Sequence, residues 1–231
     1  MTQDLAPVGV NRISTMIIDT PDNCSGQIVH LQADSVTSVF RYLTYLPGSW
    51  KLVTPDEARA LAAANIRLGL VYEAGGGAPG QPTLCAVDGT RDGAFAVGYV
   101  DSVGASPNAC IYFAADNDFG QDQVNKQVLP YFEAVAKEFV GSSYRVGVYG
   151  SGLVCQSVVN AGFASMAWLS GSLGWNSSRE LLSRAPSWLA MLQTQEDTHL
   201  ANMDVDMDSA LQSDIGDFLA FESETNVPQT V

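Results

Sequence analysis

Short apolar segments alternate with helical stretches along most of this 231-residue chain, and that alternation sharply limits the folds open to it. Eight segments rich in β-branched and aromatic residues read as strands: Ser14–Thr20, Ser38–Thr44, Ile66–Glu73, Cys110–Asp116, Tyr144–Gly150, Ser165–Gly171, Trp188–Gln195 and Asn202–Asp208. Between them lie helical patterns. Thr54–Ala64 opens with a capping threonine, a proline suited to the first turn and Glu57 where a capping box needs it. Gly93–Val103 and Leu153–Ala161 carry apolar residues at helical spacing. Gln121–Val140 sets Val124, Val128, Leu129, Phe132, Val135, Ala136 and Phe139 on one broad face. Ser209–Phe221 reads as a weak closing helix. Strands alternating with helices imply parallel pairing through right-handed crossovers. Eight of them predict an α/β fold, a single closed (β/α)8 TIM-type barrel with some short or irregular helices. An open doubly wound sheet is the alternative. No linker or change of composition divides the chain. One domain over 1–231 is expected, with its core at about 12–220 and a polar, disordered tail at 221–231.

If all strands run the same way, their C-terminal ends share one rim, and barrel enzymes draw their reactive groups from that rim. The predicted strand ends carry Asp19, Arg41 and Tyr42, Glu73, Asp116 and Asp118, Tyr149, Trp168, Gln193 and Gln195, and Asp204 and Asp206. Residues two apart on a strand point the same way, so Asp116 and Asp118 are expected to face the mouth together. Crowded carboxylates cannot all ionise cheaply, and at least one should keep its proton above the usual range. A protonated acid beside an ionised one is what glycosidic bond cleavage requires. Tyr149 and Trp168 would add flat surfaces for sugar rings. Taken singly, each acid reads equally well as a helix cap or turn residue, each aromatic as core, and Arg41 as a neutralising partner. The convergence of acids on one rim is what points to chemistry.

Charge narrows the partners. Acidic residues number 25 against 11 basic ones, a net charge of −14, which repels nucleic acid and anionic lipid. A glycan or a small molecule fits better. No apolar run reaches the roughly 18 residues of a membrane span. The N-terminal stretch MTQDLAPVGV lacks the basic and apolar regions of a signal peptide. A cytoplasmic or virion-borne protein fits, as does a wall-associated one whose leader has been removed. Cys24, Cys85, Cys110 and Cys155 are scattered without a CxxC pair, which reads as buried free thiols.

Several motifs fail on context. Gly75, Gly77 and Gly80 match GxGxxG after a strand, but Pro79 and Pro82 argue against the helix a dinucleotide site needs. In YGSGL, Tyr149 replaces the first glycine of a nucleophile elbow. The run from Asp204 begins like a calcium loop, but Ser209 and Ile215 stand where glycine and glutamate are required. His30 and His199 have no partner spacing, and no cofactor or metal is expected.

In order and position, the segments IIDTPD, FRYLT, LVTPDEA, GLVYE, IYFAADND, VGVYGSG, AWLS, LQTQ and DVD resemble the glycoside hydrolase-like domain family (the Rv2525c-like group), which is related to the family-25 muramidases. The resemblance runs over roughly residues 12–220. It implies a (β/α)8-type barrel and a DxE pair on the fourth strand, an assisting aspartate and an acid glutamate, at the positions of Asp116 and Asp118. It also implies aspartates on the first and last strands, at Asp19 and at Asp204 or Asp206. Asp118 departs from the pattern. Its side chain is one methylene shorter, withdrawing the carboxyl by on the order of 1.3–1.5 Å, a displacement that can cost about a hundredfold in rate.

The expectation is therefore a glycan-active protein directed at bacterial cell-wall polysaccharide. Asp118 or Glu73 would be the acid, Asp116 the carboxylate that polarises the substrate or stabilises the oxocarbenium ion, and Asp19 a further catalytic group. Arg41, Tyr42, Tyr149, Trp168, Gln195, Asp204 and Asp206 would line the site. A non-catalytic carbohydrate-binding or virion surface protein on the same barrel, and a metal-dependent hydrolase built on the aspartates, are the rivals.

Overall fold

In the computed structural model, residues 16–74 and 84–222 are described. The glycine-rich motif at Gly75, Gly77 and Gly80, the N-terminal segment and nearly all of the tail lie outside them. Eight strands close into a barrel in sequence order: β1 (Met16–Asp19), β2 (Val36–Leu43), β3 (Arg67–Tyr72), β4 (Cys110–Ala115), β5 (Arg145–Gly150), β6 (Met166–Leu169), β7 (Leu189–Leu200) and β8 (Met203–Ala210). β1 to β7 pair in parallel. β8 runs antiparallel to both of its neighbours, β7 and β1. This corrects the expectation of eight parallel strands. Ala201 and Asn202, both at positive φ, turn β7 directly into β8. A two-residue turn can only make a hairpin, because a parallel return needs a crossover of a dozen residues or more.

Helices cover the outside. They are α1 (Ile28–Ala33), α2 (Pro55–Ala63), α3 (Ala86–Val100), α4 (121–138), α5 (Gly152–Asn160) and α6 (Ser178–Arg184). α4 is continuous, with a π turn over Val124–Val128. α2 starts as its sequence dictates: the Thr54 side chain accepts from the Glu57 N–H and Pro55 sits in the first turn. Neither α1 nor α6 is announced by a long apolar period, and α3 begins earlier than Gly93. Among the described residues, no helix is long and apolar enough to cross a membrane.

The expected closing helix at Ser209–Phe221 is absent. β8 continues to Ala210, and the residues after it cross the N-terminal end of the barrel as a plug. Phe218 pairs with Leu68 in an antiparallel bridge, Gly216 O accepts from Cys110 N, and Ile215 O accepts from the buried Tyr112 hydroxyl at 2.9 Å. Backbone pairing with strand starts thus replaces the intrahelical bonds that a weakly apolar segment could not sustain.

Strand alternation sorts the core into two layers. Ile17, Phe40, Val71, Tyr112, Ala114, Met166 and Trp168 fill the barrel interior, while the opposite parity packs against the helices. Phe40, Tyr112 and Trp168 meet edge to face or tilted, with centroids 5.2–6.0 Å apart. Glycines make room for them. A Cβ on Gly69 would lie 2.3 Å from the Phe40 ring, and one on Gly147 2.6 Å from Tyr112. All four cysteines are free; Cys24, Cys110 and Cys155 are buried and Cys85 is exposed.

Candidate active site

The C-terminal ends of β1 to β7 open onto one cleft of about 390 Å³, counted out to its mouth. Asp19, Tyr42, Val71, Glu73, Ala114, Asp116, Tyr149, Trp168, Gln193 and Asp206 line it. The strands therefore bring together four carboxylates that are far apart in sequence.

β1 and β8 deliver the deepest acids. Asp19 is paired across the ladder with Asp206, so the two side chains emerge side by side. Asp19 is buried, accepts from the Tyr42 hydroxyl at 2.9 Å, and is approached by the Gln193 amide at 3.5 Å. Loss of hydration, then the charge of Asp206, pushes its carboxyl up to about 7. Below it sits Asp208, also buried, whose Oδ1 accepts from Trp168 Nε1 at 3.0 Å. Its Oδ2 finds no donor among the described residues. Burial and the facing Asp19 carboxyl hold Asp208 well above the ordinary range. A proton shared by the two acids would supply the donor that Oδ2 lacks.

Gln193 ties this floor to the wall. Its amide donates to Asp206 Oδ2 at 2.9 Å, and its carbonyl accepts from the Tyr149 hydroxyl at 2.8 Å and Gly171 N at 3.2 Å. Asp206 also accepts from Asp197 N at 2.8 Å, and burial raises its carboxyl. Across the mouth, Glu73 is in an ion pair with Lys51 at 2.9 Å, and the same ammonium lies 5.1 Å from the Tyr42 ring centroid. Asp116 stands next to this pair. Burial, then the charges of Glu73, Glu196 and Asp206, pushes its carboxyl up to about 6.

Four expected residues lie elsewhere. Asp118 does not share the cleft with Asp116. β4 ends at Ala115, and Asn117 N and Phe119 N then bond back two residues, which breaks the two-residue alternation. Asp118 is exposed and accepts from Asn176 N at 2.7 Å, so the inward-facing pair on this strand is Ala114 and Asp116. Arg41 lies between the inward Phe40 and Tyr42 and so faces outward. It is buried against α2, with Nε 2.6 Å from Glu57 Oε1 and Nη1 2.6 Å from Thr20 O. Gln195 is exposed because the ladder shifts register between Gln193 and Gln195, spending an extra residue on β7 and turning the later side chains away. Asp204 is exposed on the hairpin above the rim, 3.3 Å from His199 Nδ1. Trp168 is reached, but as the buried floor of the cleft and not as an open platform.

Gln193 stood among the expected strand ends beside Gln195, and Asp208 was within reach of strand periodicity, two residues beyond Asp206. Lys51 sits in a loop and carries no such signal. Among the described residues, no group of three or more His, Cys, Asp or Glu side chains is arranged to hold a metal ion.

A closed eight-stranded α/β barrel with a carboxylate-lined cleft at one end is the frame of a glycoside hydrolase-like domain. The chain belongs to the family described as the Rv2525c-like, glycoside hydrolase-like domain, whose match spans residues 29–213. A curated relative, uncharacterized protein FadG of Bacillus subtilis, is 31% identical over 138 residues, which are 58% of this chain and 24% of FadG. The chain thus spans about a quarter of that longer protein. Among solved structures, the Tat-secreted protein Rv2525c of Mycobacterium tuberculosis superposes with a TM-score of 0.71 at 22% identity, covering 88% of this chain and 98% of that one. The catalytic domain of endolysin ply40 from bacteriophage P40 of Listeria monocytogenes follows the same fold, with a TM-score of 0.51 at 12% identity over 87% of this chain and 94% of that domain.

Proposed function

We propose that this protein cleaves glycosidic bonds in a bacterial cell-wall polysaccharide, peptidoglycan being the first substrate to test, by carboxylate chemistry in the barrel cleft. The observation that carries the reading is the gathering of Asp19, Glu73, Asp116 and Asp206 around one opening walled by Tyr42, Tyr149 and Trp168. In this scheme Asp116 takes the acid role that the resemblance gave to Asp118. A carboxyl pushed up to about 6 keeps a useful fraction of its proton near neutral pH and gives it to the glycosidic oxygen. Glu73 and Asp206 flank it and supply negative charge for the oxocarbenium-like carbon, while Gln193, whose amide donates to Asp206 and approaches Asp19, holds Asp206 in place. The shared fold of the phage endolysin domain supports a wall glycan as substrate. Export, as for the Tat-secreted Rv2525c, would bring the protein to it.

The second reading is a wall-binding protein without catalysis on the same barrel. It is favoured by one specific observation: the chain places no glutamate at the fourth-strand acid position, and Glu73, the glutamate that lines the cleft, is engaged by Lys51. Purified peptidoglycan, with reducing-end release followed for wild type, Asp116→Asn and Glu73→Gln, separates the two. Hydrolysis by wild type that both variants impair supports the enzyme. Binding by all three proteins with no release from any supports the binding protein. Loss of release on adding EDTA would instead favour a metal-dependent hydrolase.

A further inference from the structure

The cleft is small for a polymer. The space it encloses is about 90 Å³, well below the about 300–1,000 Å³ usual for small-molecule sites, so most of a bound chain must lie on the rim. One part of that rim is unlike the rest. After β2, the chain makes an excursion and returns beside the cleft, where Leu52 bridges to Tyr42 and Val53 N donates to Tyr42 O at 3.0 Å. Gly48, at φ +72°, and the backbone bonds Ser49 N to Leu46 O and Leu52 N to Ser49 O fold the excursion on itself. Lys51 comes from this loop and reaches the cleft residues Glu73 and Tyr42. Beside it stands Trp50, 64% exposed, and Leu46 from the same loop is 47% exposed. Of the large hydrophobic side chains exposed among the described residues, Trp50 is the aromatic one.

We propose that Trp50, with Leu46 and Lys51, forms a second sugar subsite on the rim, which takes the residue next to the one held between the carboxylates. The inference rests on the glycan reading above and adds a site to it. An indole face stacks on the C–H face of a pyranose, burying apolar area on both, and the free donors of the Lys51 ammonium reach hydroxyl, acetamido or carboxylate substituents of the same sugar. The loop is pinned at its return beside Tyr42, so little order has to be imposed on binding.

The test uses the whole chain and two probes, N-acetylglucosamine itself and the β-1,4-linked hexasaccharide of it, titrated by calorimetry and by tryptophan fluorescence. Wild type is expected to bind the hexasaccharide about tenfold more tightly than the monosaccharide, with a fluorescence change from the exposed indole. Trp50→Ala should lose most of that tenfold gain and leave monosaccharide binding unchanged, and Trp50→Phe should keep part of it. Trp50 is exposed, so these variants should fold normally, as circular dichroism would confirm. Equal binding of the two probes by wild type, or an undiminished gain in Trp50→Ala, overturns the subsite and leaves the cleft reading standing. No binding of either probe by wild type removes both.

Discussion

Trp168 on β6 donates its indole N–H to Asp208 on β8 at 3.0 Å, across the barrel interior and directly beneath the cleft. One oxygen of Asp208 is thereby satisfied, and the other has no donor among the described residues, with the Asp19 and Asp206 charges near it. Burial holds both Asp19 and Asp208 above the ordinary range, as it would two neighbouring acids that share a proton.

That pair should make stability depend on pH. In the folded protein Asp19 is pushed up to about 7 and Asp208 higher than usual, against about 3.9 for an unfolded aspartate. The native state then binds more protons than the unfolded state between those values. The contribution is fully present below about pH 4 and is lost as pH rises through about 7. Asp208→Asn keeps an acceptor for Trp168 and offers Asp19 a donor. The variant should melt several degrees higher than wild type at pH 8, with the difference shrinking toward pH 4. Thermal melts across that range check it, and a difference independent of pH would contradict the shared proton.

Hydrolysis should follow Asp116. Its carboxyl must be protonated to act as the acid, so activity should fall as pH rises through about 6. Asp116→Asn should lower the rate of reducing-end release by about 10²–10⁴-fold while peptidoglycan binding persists. Asp118→Asn, outside the cleft, should change the rate less than about tenfold.

Arg41 and Glu57 form an ion pair with both side chains fully buried, and Glu57 also accepts from Cys24 N at 2.8 Å. Glu57→Gln leaves the guanidinium buried without a counter-charge and should cost about 3–5 kcal/mol in urea unfolding. Replacing both residues, Arg41→Met with Glu57→Leu, should recover much of that loss. The effect is expected on stability first, because Arg41 touches Thr20 O and not the cleft.

Gly69→Ala should destabilise the barrel by about 1–3 kcal/mol, since the new methyl meets the Phe40 ring at 2.3 Å. Phe40→Leu in the same chain should return part of the loss. Denaturant melts of the single and double variants measure the coupling between the two positions.

Residue patterns made a good part of the site legible. Asp19, Tyr42, Glu73, Asp116 and Tyr149 sit at strand ends with inward parity, and the same two-residue period that buries Phe40 and Val71 brings them to the cleft. Arg41 could not share the mouth with its neighbour Tyr42 on that same rule. Asp118 and Gln195 were misplaced because the rule stops where extended geometry stops, at the turn after Ala115 and at the bulge after Gln193. The six residues between Gln195 and Asn202 left too little chain for a helical crossover, a length signal for the hairpin that the strand pattern alone conceals.

Local sequence, then, determined the strands, their order and the faces of most of them, because burial on one side imprints a period that any short window carries. The meeting of Asp19 with Asp206 and Asp208 was decided by barrel closure, which pairs the first strand with the last. That contact spans nearly the whole chain, and its energy depends on what stands opposite each acid, so no local window contains it.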